Sequence, residues 1–164
     1  MKLKLISGCL AIALVQITPS NAQSDSPAGH YTKKRGGAGE MWVQKAGAEW
    51  RIFVNAGGIP KSRGRTAPDC ALIALGAIEG KTFQGEVKYG LDGPELEAQR
   101  QAVLDYVKGG SSKPGSDIDV EAGLKMTITF APQSATVNDV DWGYGRGPCP
   151  NGTGIFGRYT KDRR

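Results

Sequence analysis

At 164 residues the chain has the length of one domain. Hydrophobic residues make up 39% and charged residues 23%, which is ordinary globular usage, but 24 glycines are about twice the common share. Without a Gly-X-Y period these glycines exclude collagen. Falling between short apolar runs, they imply many turns and argue against a large helical bundle or a doubly wound nucleotide-binding fold.

Residues 1–22 read as a secretory signal peptide. Lys2 and Lys4 precede an apolar run from Leu5 to Ile17, and Ser20-Asn21-Ala22 forms a small-residue cleavage site. The run is too short for a spanning helix, and no later segment holds a membrane-length apolar stretch. Cleavage after Ala22 leaves a single domain, 23–164, addressed to the periplasm or the exterior. Cys9 lies within the discarded run. Cys70 and Cys149 remain and are expected to pair, as two cysteines in an exported chain commonly do. Closing a loop of about 80 residues would be worth roughly 4 kcal/mol.

The elements follow in order. Gly29–Lys33 is strand-like after a polar lead. Residues 40–45 and 50–54 alternate around a short Lys45-Ala46-Gly47-Ala48 link and predict a hairpin with Trp50, Ile52 and Val54 on one face. Residues 55–68, rich in Gly, Pro and Arg, predict a long loop. Cys70 to Ile78 is almost wholly apolar, as in a central strand. Residues 83–89 place Phe83, Gly85, Val87 and Tyr89 on one face. Pro94, Glu95 and Glu97 suit the first turn of a helix over 94–108, with Leu96, Val103, Leu104 and Val107 at helical spacing and Gly109-Gly110 as its stop. A loop over 109–116 follows. Short strands are expected at 118–120, 124–130 and 135–137, then a Gly-rich stretch, then a last strand within 154–161.

One echo spans the chain: Gly29-His30-Tyr31-Thr32-Lys33 and Gly157-Arg158-Tyr159-Thr160-Lys161 share Gly-x-Tyr-Thr-Lys. Two such strands lying side by side would close a barrel. The expected fold is therefore mainly β, a small antiparallel barrel of about eight strands with one inserted helix, the alternative being a β-sandwich.

The inventory carries little catalytic chemistry. His30 is the sole histidine, and neither a Gly-x-Ser-x-Gly elbow nor a phosphate loop is present. No cofactor or metal motif is found. Asp117, Asp119 and Glu121 alternate, as do Asp139 and Asp141, and read as solvated strand faces. Two loops carry the candidate binding residues. Lys61, Arg63 and Arg65 place three cations among glycines, suited to an anion. Trp142, Tyr144 and Arg146 are residue types enriched in binding hot spots, just before Cys149.

Formal net charge is +5, and removing Lys2 and Lys4 with the signal leaves 19 basic against 16 acidic residues. The excess is concentrated at the two ends, in 30–65 and in Arg158, Lys161, Arg163 and Arg164. If those ends meet, one face is positive and fits an anionic glycan, a lipid headgroup or an acidic protein. Nucleic acid would call for a stronger net charge and exposed stacking residues.

The run from Cys149 to Lys161, with the early Gly29-His30-Tyr31 and the pairable Cys70, resembles small exported bacterial β-barrel proteins such as periplasmic lysozyme inhibitors. The resemblance implies an exported barrel. The inhibitors' enzyme-blocking motif has no counterpart here, and the basic balance departs from what a basic lysozyme would need, so no inhibitory residue carries over. The expected function is that of an exported, non-enzymatic binding protein that recognises or inhibits an envelope partner. The alternatives are a binder of anionic glycan or lipid and a small envelope enzyme.

Overall fold

The computed structural model describes residues 26–35, 38–57, 70–115, 123–140 and 154–163. Eight strands form a closed antiparallel barrel in sequence order. They are β1 (Gly29–Lys33), β2 (Gly39–Ala46), β3 (Glu49–Ala56), β4 (Cys70–Glu79), β5 (Thr82–Asp92), β6 (Lys125–Ala131), β7 (Ser134–Val140) and β8 (Gly157–Lys161), with one helix, α1 (Gly93–Val107), between β5 and β6. The residues expected to form a strand at 118–120 lie outside the described residues.

Because every neighbour is antiparallel, the even-to-odd turns fall at one end, where β1 begins and β8 finishes, and the odd-to-even connections fall at the other. The first end is tight. β2–β3, β4–β5 and β6–β7 are joined by two residues each, and Gly47 and Gly80 take φ of +65° and +59° in the first two turns. The second end carries every long connection, which is where binding loops sit on a rigid scaffold.

Alternation fills the barrel. Met41, Val43, Ile52, Val54, Leu72 and Phe83 are among the side chains pointing inward. Trp50 packs partly buried against them, as its alternation predicts. A second cluster lies outside the barrel wall, where Leu96, Val103, Tyr106 and Val107 of α1 cover Phe53, Ala71, Ile73 and Leu91. β4 is apolar on both faces because the barrel core lies on one side and α1 on the other.

The alternation of β5 fails at one point. Ile73 pairs with Tyr89 and Ala74 with Val87, so Lys88 is an extra, bulged residue. One extra residue reverses the faces, and Tyr89 leaves Val87's side to pack with the helix cluster, edge-on to Tyr106 at 5.7 Å.

The seam that closes the barrel is built twice. β1 and β8 pair as Tyr31 with Lys161 and Thr32 with Thr160, which relates the two Gly-x-Tyr-Thr-Lys segments by an approximate twofold axis. The Tyr31 hydroxyl donates to Pro27 O (2.7 Å) and the Tyr159 hydroxyl to Ile155 O (2.8 Å), each four residues back. Lys161 Nζ lies over the Tyr31 ring and donates to Ser26 O (2.6 Å). Lys33 Nζ lies over the Tyr159 ring and donates to Gly154 O (2.5 Å) and to Phe156 O. Each lysine thus clasps the chain leading into the opposite strand. Lys33 is buried, and burial pulls both lysines below the usual amine range. Charge distribution along the chain assigns Lys33 and Lys161 to an exposed positive face; the fold uses both in the seam instead.

Arg51 fastens α1. Its Nη1 donates to Tyr106 O (2.7 Å) and Gly110 O (2.9 Å) at the helix C-terminus, the guanidinium stacks 4.2 Å from the Tyr106 ring, and Nε donates to Glu49 (3.0 Å). A cation on the last carbonyls offsets the negative end of the helix. Arg51→Ala is expected to lower unfolding free energy by about 2 kcal/mol and to speed amide exchange over 106–110, readable by urea unfolding and hydrogen exchange.

Candidate functional site

Lys61, Arg63, Arg65, Trp142, Tyr144, Arg146 and Cys149 lie outside the described residues. The residues on either side show where their segments start and finish. The β3–β4 and β7–β8 connections both belong to the long-connection end. Gly57 donates its N–H to Ala38 O (3.0 Å), and Gly154 donates to Gly57 O (3.4 Å). Lys33 holds Gly154 from within the barrel. The bases of the β1–β2, β3–β4 and β7–β8 connections are therefore tied together. Cys70, fully buried, opens β4 at the same end. Of the alternating acidic residues, Asp139 is exposed on β7, and the others lie outside the described residues.

Next to these bases, the β1–β8 seam carries a groove of about 890 Å³ on the barrel surface. Lys34, Arg35, Arg158 and Arg163 are exposed along it, and Phe156, 40% exposed, is the one large apolar side chain on the surface among the described residues. The two ends of the chain do meet here, as the uneven charge distribution requires for a positive face.

A second hollow, of about 730 Å³, lies on the outer wall toward the tight end. Its floor is β1 and β2, with Trp42 and Gln44. One wall is the last turn of α1, with Leu104, Val107 and Lys108. The other wall is Asp162 and Arg163, which follow β8. That segment is strapped down by Asp162, whose N–H donates to His30 O (2.9 Å). The Asp162 carboxylate lies 2.6 Å from His30 Nδ1 and accepts from the Thr32 hydroxyl (3.1 Å). His30 Nε2 is 3.4 Å from Glu40, and Glu40 pairs with Arg100 of α1 (2.5 Å). The His30 and Trp42 rings lie 4.3 Å apart.

This chain of contacts links α1, β1, β2 and the C-terminal segment. Both imidazole nitrogens face carboxylates, and the nearby Thr32 hydroxyl is given to Asp162, so the arrangement positions the strap and offers no activated nucleophile. Among the described residues, no group of three or more His, Cys, Asp or Glu is placed to hold a metal ion, and no helix is long and apolar enough to cross a membrane. Sequence pattern does not reveal this hollow, because His30 and Asp162 are 132 positions apart and only the twin Gly-x-Tyr-Thr-Lys segments hint that they approach. Compared with known protein families, curated proteins and solved structures, the chain matches none.

Proposed function

We propose that this chain is an exported, non-enzymatic binding protein of the bacterial envelope that recognises or blocks a partner protein with the end of its barrel that carries the long connections. The observation that supports the reading is the hydrogen-bonded set of loop bases at Ala38, Gly57 and Gly154. It gives the Lys61–Arg65 and Trp142–Arg146 segments, which hold the residue types suited to recognition, a shared footing. Residues 1–22 would direct export. A Cys70–Cys149 disulfide would join the same two connections, starting from a Cys70 that is fully buried where β4 begins. The likeness to periplasmic lysozyme inhibitors belongs to this reading as an exported barrel with a blocking role, its target being different from a strongly basic enzyme.

The test is capture from envelope extract on the immobilised, oxidised protein at low and at high salt. The expected result is a specific protein retained at high salt, with retention cut about tenfold by Trp142→Ala or Arg146→Ala. Retention unchanged in both variants would remove that surface from the account.

A second reading, an anionic glycan or lipid held through Lys34, Arg35, Arg158 and Arg163, is favoured by the cationic groove along the seam. It predicts binding that falls steeply with added salt, whereas the protein-partner reading predicts a shallow dependence.

A further inference from the structure

We infer that the hollow between α1 and β1–β2 is a second binding site, for a small amphipathic organic acid: a carboxylate carried on an apolar body. It lies on the outer wall near the tight turns, away from the recognition end, shares only Arg163 with the cations of the seam groove, and does not depend on the partner-protein reading above.

The argument is a balance of charge and surface. Among the described residues two carboxylates lie near the hollow, and both are engaged: Asp162 by His30 and Thr32, Glu40 by Arg100. The C-terminus of α1, whose carbonyls would repel an anion, is neutralised by Arg51 on Tyr106 O and Gly110 O. What remains facing the hollow is positive. Lys108 is exposed on one wall, with Nζ 5.2 Å from the Trp42 ring, and Arg163 is exposed on the other. Between them lie Trp42, Leu104 and Val107, an apolar floor and wall, with the Gln44 amide beside them.

A volume of about 730 Å³ is in the range of small-molecule sites, which combine a mostly apolar lining with a few placed polar groups. A guanidinium accepts a carboxylate in a two-point contact and an ammonium adds a point charge. The apolar body would lie on Leu104 and the Trp42 ring. A neutral lipid would leave the two cations unused, and an inorganic anion would leave the apolar lining unused.

Calorimetric titration of the purified protein with octanoate, and with n-octanol as its neutral counterpart, tests the site. The expected result is saturable one-to-one binding of octanoate, with n-octanol about tenfold weaker. Lys108→Glu should weaken octanoate about tenfold, and Leu104→Trp, which fills the hollow, should abolish binding. Melting curves of both variants verify that they fold, and Lys108→Glu, at an exposed position, carries the test if Leu104→Trp does not. Absence of saturable octanoate binding, equal binding of n-octanol, or octanoate binding unchanged in a folded variant would overturn the inference.

Discussion

Tyr159→Ala is expected to be among the most damaging single substitutions in the barrel, lowering unfolding free energy by about 3–5 kcal/mol. Tyr159 is fully buried and sits where the last strand meets the first. Truncation removes the ring from the core, withdraws the surface on which Lys33 Nζ rests, and leaves Ile155 O without its hydroxyl donor. A loss of that size is a large part of the roughly 5–15 kcal/mol that holds a domain folded. Tyr159→Phe keeps the ring and gives up the hydrogen bond alone, at a cost of about 1–2 kcal/mol. Thr160→Ala, one residue along on the exposed face of β8, should fall within about 0.5 kcal/mol of the parent. Urea unfolding of the three variants separates these costs. Equal effects of Tyr159→Ala and Thr160→Ala would show that the seam does not hold the barrel closed.

The second large effect is a loss of stability in alkali. Burial pushes the Tyr31 phenol up to about 12 and moves Tyr159 the same way. A group whose folded pKa is raised contributes stability that is present below its unfolded value, near 10, and lost as pH climbs toward the folded value. For Tyr31 that loss amounts to roughly 3 kcal/mol between pH 10 and 12, and Tyr159 adds to it with the same sign.

Lys33 and Lys161 act in the opposite sense, but in another window. Their folded values are lowered, so the native state sheds protons first and regains stability only up to the unfolded lysine value of about 10.4. Above that the tyrosines decide the outcome. The urea midpoint should therefore fall steeply between pH 10.5 and 12, and the share of phenolate absorbance due to Tyr31 and Tyr159 should rise together with unfolding. A double Tyr31→Phe, Tyr159→Phe variant, less stable at neutral pH, should show a much flatter decline. Ionisation of Tyr31 or Tyr159 near pH 10 in an intact barrel, read as phenolate absorbance present in the parent and missing from the double variant, would contradict the burial argument.

Much of the barrel is legible because its signals are local. Alternation in β2 and β3, the short glycine-bearing turn between them and the apolar run of β4 each fix a strand without reference to the rest. The closure is legible for a different reason. Gly-x-Tyr-Thr-Lys occurs twice because the same clasp is built from both sides of one seam, so a long-range contact leaves a local trace in each partner. Where one residue changes the outcome, alternation misleads: the Lys88 bulge sends Tyr89 to the helix side. Nor does charge counting reveal that Lys33 is buried, since nothing in its neighbours' identity distinguishes it from the exposed Lys34 beside it.

The hollow beside α1 leaves no trace beyond the twin segments that bring His30 and Asp162 together. Its residues come from β1, β2, the end of α1 and the C-terminal segment, each unremarkable where it stands in the chain. The Lys61–Arg65 and Trp142–Arg146 segments stand out by residue type alone. The fold adds that the strands bounding them open toward the same end.

The proposed function turns on which end of the barrel meets the partner. Amine cross-linking of the protein to its captured partner, read by peptide mapping, addresses this directly. Lys34 follows β1 at the long-connection end, and Lys61 falls in sequence between β3 and β4, whereas Lys45 and Lys81 lie at the tight-turn end. Cross-links at Lys34 and Lys61 that spare Lys45 and Lys81 are the predicted result. Cross-links concentrated at Lys45 and Lys81 would place the partner on the wrong end of the barrel and contradict the account.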